Sequence, residues 1–393
     1  MISFDSAFNI VMDSVTPLPV EDVTLHASLG RTIAEPIVSD MNMPPFNKSA
    51  VDGYACRKAD MANLLEMVEV VAAGQVPKKI IGENQCTKIM TGAMLPEGAD
   101  CVLMVEDTEV VGCNHIKYKS DKVKNNICLL GEDIRTNDVA LPLGVVVLPQ
   151  HIAVMAALGY DQVKVFRKPV VAILSTGDEL VEPGQKPKVG QIRNSNGHQL
   201  VAQVIRAGGI PNYMGIVEDT ERATFEAVKK ALESSDILLL TGGVSMGDFD
   251  FVPSVLIRCG VDLLFDSVAV QPGKPTTFGK TNAGKLVFGL PGNPVSSFTQ
   301  FELLVRPAIQ AMMGGLSKNQ FEKRVLAVDY SRKRTDRLAF VPVTITDSGE
   351  VLPTEYHGSA HIFSLPNSDA IMAVPLGVSE LKKGDKVDVR SIQ

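Results

Sequence analysis

The sequence predicts a multidomain chain that combines an α/β unit with β domains, and three features lead to that expectation. Between residues 168 and 315, short and wholly apolar strands such as Val170-Val-Ala-Ile-Leu174 alternate with amphipathic helices. Strands that are apolar on both faces require helices on both sides of a mostly parallel sheet. On either side of that stretch the chain reads as short strands broken by glycine and polar turns. Finally, 393 residues with 45% hydrophobic content suit two to four domains better than one core.

Taken in order, residues 1–40 begin as a helix, with Phe4, Phe8, Val11 and Val15 at helical spacing, and become extended around Pro17, Pro19 and Pro36. A loop rich in Pro and Asn follows, from Met41 to Lys48. From Ser49 to about Cys128 the pattern is one of short strands, as in Ala99-Asp-Cys-Val-Leu-Met-Val-Glu106, which suggests a small β domain inserted into a neighbouring unit. The apolar stretch Val139 to Tyr160 is interrupted by Pro142, Gly144, Pro149, Gln150 and His151, so it reads as a strand followed by a helix and not as a membrane span. In the α/β stretch, Val170–Leu174 leads to a helix from His198 to Ala207, and Ile237–Leu240 to a helix near Phe251–Arg258. After Gly314 and Gly315 strands return at Arg324–Tyr330, Phe340–Ile345 and Ala370–Val374. Lys382-Lys-Gly-Asp385 reads as a hairpin turn before a last strand, Lys386–Arg390.

The chain carries 38 Lys and Arg against 45 Asp and Glu, a net charge of −7. It therefore lacks the basic field that nucleic acid or an anionic membrane surface requires, and an anionic ligand would have to be held locally. Six cysteines are scattered without a CxxC pair, which suits reduced, structural thiols. The first sixteen residues contain Asp5 and Asp13 and no basic segment followed by an apolar run, so no secretory signal is expected and the cytoplasm is the expected location.

Four loops of the α/β unit carry the strongest chemical signals, because ligands of open α/β sheets bind beyond the carboxyl ends of the strands. Ser175-Thr-Gly-Asp-Glu179 follows an apolar strand and offers hydroxyls and carboxylates to a polar or metal-bound ligand. A capped turn would account for Ser175 and Gly177 but has no use for two adjacent acids. Asn194-Ser-Asn-Gly197 opens a helix, where phosphate-like groups are attracted, although taken alone simple N-capping by Asn or Ser is the better explanation. Thr241-Gly-Gly-Val-Ser-Met-Gly-Asp-Phe-Asp250 pairs glycines that admit close backbone approach with Ser245, Asp248 and Asp250; it matches neither the Walker pattern nor GxGxxG. Gln271-Pro-Gly-Lys-Pro275 places Lys274 in a rigid loop, and Gly289-Leu-Pro-Gly-Asn-Pro294 fits a helix cap followed by a first-turn proline. Elsewhere, Asp52 and Thr91 fall in separate turns where an acid and a hydroxyl are ordinary turn formers.

Taken as an ordered set, PPFxxSAVDGYA, IMTGA, STGDEL, TGGVSMGDFD, PGKPTTFG, GLPGNPVS and HGSAHIFS resemble the molybdopterin molybdenumtransferase family over nearly the whole chain. The resemblance implies an elongated N-terminal domain (1–40 plus 130–167), an inserted β domain (41–129), an α/β molybdopterin-binding domain (168–315) and a C-terminal β-barrel (320–393). It also implies insertion of molybdate into adenylylated molybdopterin with Mg²⁺-dependent release of AMP, in a homodimer whose active sites lie between subunits. An adenylyltransferase would supply the substrate. By position in the motifs, Asp52, Thr91, Glu179, Asp219, Asp250, Pro291 and Pro294 match residues of the family's active site, with Glu179, Asp219 and Asp250 as the candidate Mg²⁺ ligands. Gly243 lies in the loop expected beside the substrate phosphates. Ser245, Lys274, Pro275 and Ser359 match the oxyanion pocket, where hydroxyls, amides and a lysine suit a tetrahedral dianion.

The chain departs from the family pattern at Gln271 and Ser267, where many relatives carry Lys, at Asn47-Lys48, which replaces an Asp-Asn pair, and near Pro342, where an Arg is absent although Arg337 is close by. These changes remove positive charge and raise tungstate as an alternative to molybdate. His357 and His361 lie in a glycine-containing, β-rich segment and read as a loop feature and not as zinc ligands. Two further readings compete. A molybdopterin adenylyltransferase is a short single-domain chain, which the β domains here argue against. A scaffold of the gephyrin type would not need the acidic loops.

Overall fold

The computed structural model describes residues 1–120, 124–243, 252–315 and 321–392. Seven α-helices lie among the described residues: α1 (Phe4–Ser14), α2 (Pro149–Ala157), α3 (Ser195–Arg206), α4 (Glu221–Ser234), α5 (Val252–Arg258), α6 (Pro294–Gln300) and α7 (Arg306–Met312). None is long and apolar enough to cross a membrane. Contacts divide the chain into two units, residues 1–34 with 144–148 and 162–393, and residues 35–143 with 149–161.

The first unit is built on a six-stranded sheet in the order 210–217, 170–176, 237–241, 286–290, 277–281, 261–265. The first four strands are parallel, 277–281 runs antiparallel to them, and 261–265 pairs antiparallel with 277–281 at the edge. Alternation along the central strands decides what covers each face. Val171, Ile173, Ile237 and Leu239 pack with Leu200 and Val204 of α3, Ala308 and Ile309 of α7, and Phe4, Phe8 and Val11 of α1. Ala172, Leu174, Leu238 and Leu240 pack with Val228 and Leu232 of α4 and Val255 and Leu256 of α5. Runs that looked uniformly apolar are thus two interleaved half-cores, the arrangement that a sheet covered on both sides demands.

Helix starts follow capping chemistry. Ser3 accepts the Ser6 N–H ahead of α1, and Thr220 accepts the Ala223 N–H ahead of α4. At the end of α6 a π-helical turn, Phe301–Val305, runs directly into α7. It carries Glu302, a fully buried carboxylate. Gln203 donates at 2.6 Å to one of its oxygens, to which Arg206 also donates, while Arg306 donates to the other at 3.1 Å. Arg206 and Arg306 also donate to the carbonyls of Ile392 and Ser391 at the end of the chain. Arg390 is buried nearby, and burial pushes its pKa down to about 10 against the opposing pull of Glu302.

Beyond α7, strands 338–345, 370–374, 386–391 and 322–325 pair antiparallel in that order, and 351–353 adds to the free side of 338–345. A bridge from Leu326 to Val351 closes the sheet into a barrel around Val341, Val343, Met372, Val387 and Val389. Two sequence expectations are corrected here. Arg324–Tyr330 is not one strand, since the ladder with the last strand ends at Val325 and the next one, with Glu380–Leu381, begins at Tyr330. The 382–385 turn forms, with the Asp385 carboxylate accepting the Lys382 N–H at 2.8 Å, but it does not join a hairpin. Glu380–Leu381 pairs with Tyr330–Ser331, whereas the last strand leaves for the barrel, where Val387 and Val389 are buried.

The second unit contains another six-stranded sheet, in the order 101–104, 53–56, 85–89, 65–71, 115–118, 108–111. Cys86, Cys56 and Cys101 fall opposite one another on three neighbouring strands, and all are buried and unbridged. Cys101 lies 3.5 Å from Cys56, and that contact together with burial holds the Cys56 thiol far above its ordinary pKa. Cys86 is pushed up to about 12 by burial, so both sulfurs are packing groups and not nucleophiles.

Glu302→Ala strands three arginines in or beside the core and should destabilise the first unit by about 3–5 kcal/mol. Urea unfolding of the full chain measures this, and a loss below about 1 kcal/mol would show that the arginines reach solvent without cost.

Candidate functional site

In the central sheet, strand 170–176 lies between 210–217 and 237–241, so the chain winds to opposite sides of it and opens a crevice beyond Thr176 and Thr241. A cavity of about 250 Å³ occupies that place, lined by Thr176, Glu179, Arg193, Asn196, Gly242 and Pro294 among others. The backbone comes close by necessity. Gly242 has φ +91° and a Cβ there would sit 2.3 Å from the Thr176 carbonyl oxygen, so only glycine fits. Gly243 follows, also at positive φ, against the Thr176 side chain.

The N-terminus of α3 opens onto this cavity and is held from behind by a hydrogen-bonded chain. Asn194 accepts the Gly197 N–H as the helix cap, and its amide donates to the Ser175 hydroxyl at 3.0 Å and to the Tyr213 hydroxyl at 2.9 Å. Tyr213 in turn donates to Glu182 at 2.7 Å, and His198 contacts the other Glu182 oxygen at 2.9 Å. The Tyr213 and His198 bonds hold the Glu182 carboxyl below its usual range. The capping explanation of Asn194 therefore holds, while its neighbour Asn196 faces the crevice: its amide spans Thr241 Oγ1 and the Gly292 carbonyl, and its buried Oδ1 has no partner among the described residues. Thr176 Oγ1 is likewise buried without a partner among them. Two orphaned polar atoms in one crevice are what a polar ligand would satisfy.

A second cavity, of about 330 Å³, adjoins the first at Asn293 and is lined by Lys274, Pro275, Pro291, Arg337, Tyr356 and Ser359 among others. Asn293 stands at the cap position of α6 but does not cap with its side chain, contrary to the sequence expectation. Its amide instead donates to Ser359 Oγ at 2.9 Å, and the Ser359 carbonyl accepts the Val295 N–H, which docks the 356–360 loop on the start of the helix. The Lys274 ammonium makes no hydrogen bond with any described residue. Gly273, at φ +106°, lies so close to Gln300 that a Cβ would fall 2.4 Å from its amide nitrogen, which keeps the Lys274 loop in place. Gln271 lines this cavity, whereas Ser267 is turned to Asp266 and does not. Arg337 stands in the cavity with Nη1 on the Val270 carbonyl at 3.3 Å, so a guanidinium is present although position 342 holds proline.

The predicted site residues therefore fall into groups. Glu179 and Pro294 line the crevice, with Gly243 beside it, and Lys274, Pro275, Pro291 and Ser359 line the adjoining cavity. Asp219 is brought next to the Ser175–Glu179 loop, since its backbone N–H donates to Asp178 at 3.1 Å. Ser245, Asp248 and Asp250 lie outside the described residues. Among those described, no group of three or more His, Cys, Asp or Glu side chains is arranged to hold a metal ion. His357 and His361 stack on each other in a loop, 4.8 Å between ring centres. In the second unit, Asp52 and Thr91 meet despite their distance in sequence. Asp52 Oδ1 accepts the Thr91 N–H at 2.7 Å and its hydroxyl at 2.8 Å, which holds the Asp52 carboxyl below its ordinary pKa. Tyr356 and Arg193 were not singled out from sequence, and nothing in their local spacing marks them.

Three family models match the chain: MoeA N-terminal region (domain I and II) over residues 2–159, probable molybdopterin binding domain over 172–311, and MoeA C-terminal region (domain IV) over 323–392. A molybdopterin molybdenumtransferase of Staphylococcus epidermidis is 36% identical across 99% of this chain and 95% of its own. One from Bacillus subtilis is 35% identical, across 98% and 96%. The crystal structure of the molybdopterin biosynthesis MoeA protein of Pyrococcus horikoshii matches with a TM-score of 0.86 at 30% identity, covering 99% of both chains.

Thr91→Ala removes the hydroxyl bond to Asp52 but keeps the backbone one, so the Asp52 pKa should rise part of the way to the ordinary carboxylate value. Because the folded pKa is depressed, stability from the charged carboxylate is in place above the unfolded value and is lost as pH falls through the folded one. A carboxyl NMR titration reads the shift, and an unmoved Asp52 would show that the hydroxyl contact is absent in solution.

Proposed function

Because the chain belongs to the molybdopterin molybdenumtransferase family and acts as a transferase of molybdenum cofactor biosynthesis, we propose that its two adjoining cavities hold the two reactants. Adenylylated molybdopterin lies in the crevice with its phosphates toward the start of α3 and the Gly242-Gly243 turn, and molybdate lies in the cavity of Lys274, Arg337 and Ser359. The observation that carries this reading is that adjacency: one cavity offers amide donors and orphaned polar atoms, the next offers the Lys274 and Arg337 cations and a hydroxyl, and Asn293 is common to both.

Carboxylate oxygens of Glu179 and Asp219 are the right donors for Mg²⁺, and Asp250 would complete the set. Bound there, Mg²⁺ would neutralise charge on the phosphate oxygens as AMP leaves. The chain's own part is positioning. Asn194 and Asn196 fix the start of α3 against the phosphates, and Lys274 with Ser359 holds the oxyanion facing the crevice. Asp52 with Thr91 serves the same reaction from a second subunit of a homodimer, in the cytoplasm, on a substrate supplied by an adenylyltransferase. Arg337 in the cavity offsets the charge lost at Gln271 and supports binding of a tetrahedral dianion.

The direct test supplies purified chain with adenylylated molybdopterin, Mg²⁺ and either molybdate or tungstate, and follows AMP release. Lys274→Ala should raise the molybdate concentration for half-maximal release roughly 10- to 100-fold, the worth of about 1.5–3 kcal/mol for a hydrogen bond to a charged group. Glu179→Ala and Asp219→Ala should abolish the Mg²⁺-dependent release, and undiminished release in both would remove the metal role. Asp52→Ala and Glu179→Ala chains, each inactive alone, should recover activity when mixed; no recovery would argue against a site shared between subunits.

A further inference from the structure

Strand register places two buried cysteines of the second unit within reach of a covalent bond. Pairing of strand 53–56 with both of its neighbours sets Cys56 opposite Cys86 on one side and Cys101 on the other. Residues opposite one another in an antiparallel pair share a face, and all three side chains enter one core with Tyr54, Leu65 and Leu103. Cys56 Sγ and Cys101 Sγ are 3.5 Å apart, whereas Cys86 makes no hydrogen bond with a described residue. Opposed residues of this kind have Cα atoms about 4.5–5.5 Å apart, inside the range that a disulfide spans, so the two sulfurs can join without moving the strands.

The three thiols are not equivalent. A thiolate at Cys101 accepts from the Cys56 thiol, which holds the Cys101 pKa below its ordinary value; the Lys58 ammonium helps, while burial and Asp100 oppose. Cys56 keeps its proton through the same bond, and burial keeps Cys86 protonated. Cys101 is therefore the sulfur that can attack. It also stands at the first position of strand 101–104, which lies at an edge of its sheet, whereas strands 53–56 and 85–89 are flanked on both sides. All three side chains are fully buried, so a reagent reaches Cys101 when the end of that edge strand opens.

We propose that Cys56 and Cys101 form a reversible redox site, joined as a cross-strand disulfide by exchange with a small-molecule disulfide. The Cys101 thiolate, its proton given up to water, attacks one sulfur of the reagent. The reagent's S–S bond breaks, and the departing thiolate takes the Cys56 proton. Cys56 Sγ then attacks Cys101 Sγ, forming the bridge and expelling the second thiolate, which recovers a proton from water. Two protein thiols are oxidised and the reagent is reduced to two thiols. A reducing compartment keeps the pair open, and an oxidised thiol pool closes it. The bridge spans 45 residues, which include strands 65–71 and 85–89, so it clamps the edge strand to the interior of the sheet.

The test incubates the reduced full chain with oxidised glutathione, blocks the remaining thiols and maps the linkages by peptide mass spectrometry. A Cys56–Cys101 linkage should form and dithiothreitol should reverse it. It should appear at least about 10-fold more slowly than the mixed disulfide at Cys113, which is exposed and needs no opening. Amide protons of strand 101–104 should exchange about 10-fold or more slowly in the oxidised chain. Cys86→Ala, shown by urea unfolding to be folded, should still form the linkage; its loss there would overturn the direct route from Cys101 to Cys56. A Cys56–Cys86 linkage, or glutathione at exposed positions with Cys56 and Cys101 still reduced, would overturn the site. So would a Cys56–Cys101 linkage that forms only in urea, because it would belong to the unfolded chain. None of these results depends on the reaction assigned to the crevice.

Discussion

Glu302 is the constraint from which the geometry of the first unit follows. Its carboxylate is fully buried, and the groups that satisfy it are Gln203 and Arg206 at the far end of α3 and Arg306 at the start of α7. The two helical runs that open onto the crevice, α3 at Asn194 and α6 at Asn293, are thus tied together at their other ends. A buried charge of this kind adds little to net stability but is costly to mismatch, so it specifies one relative placement of its helices. The π-helical turn at Phe301–Val305 falls where Glu302 must reach inward, as such insertions do when a functional group has to be re-aimed.

The consequence at the other end of those helices is a crevice whose floor is backbone. Gly242 and Gly273 stand where a single added carbon would collide with Thr176 or Gln300, so the loops approach a ligand with main chain and small side chains. Charge is then added from outside the sheet. Lys274 comes from the loop after Val270–Gln271, and Arg337 from just ahead of the strand, 338–345, that pairs with those two residues. An acidic chain thereby presents a region of opposite sign without altering its net charge.

Asp52 and Thr91 illustrate how a pair of ordinary turn residues acquires a defined electrostatic state. Each alone is a turn former. Pairing of strand 53–56 with strand 85–89 sets the turns side by side, and two hydrogen bonds to one carboxylate oxygen keep Asp52 ionised. The buried row of Cys86, Cys56 and Cys101 arises from the same register, which turns scattered thiols into a packed column.

What the residues determined unaided were properties that depend on near neighbours in the chain. Apolar runs specified the strands at 170–176 and 237–241, capping residues specified the starts of α1, α3 and α4, and the ordered motifs identified the family. What only the tertiary structure decided were juxtapositions across the chain: the meeting of Asp52 with Thr91, the use of Asn293 for Ser359 instead of the helix, the departure of the last strand from its expected hairpin, and the presence of Arg337 in one cavity with Lys274. Those depend on strand register and on how a barrel closes. Both are set by the burial of many side chains at once, and no local window of sequence records that sum.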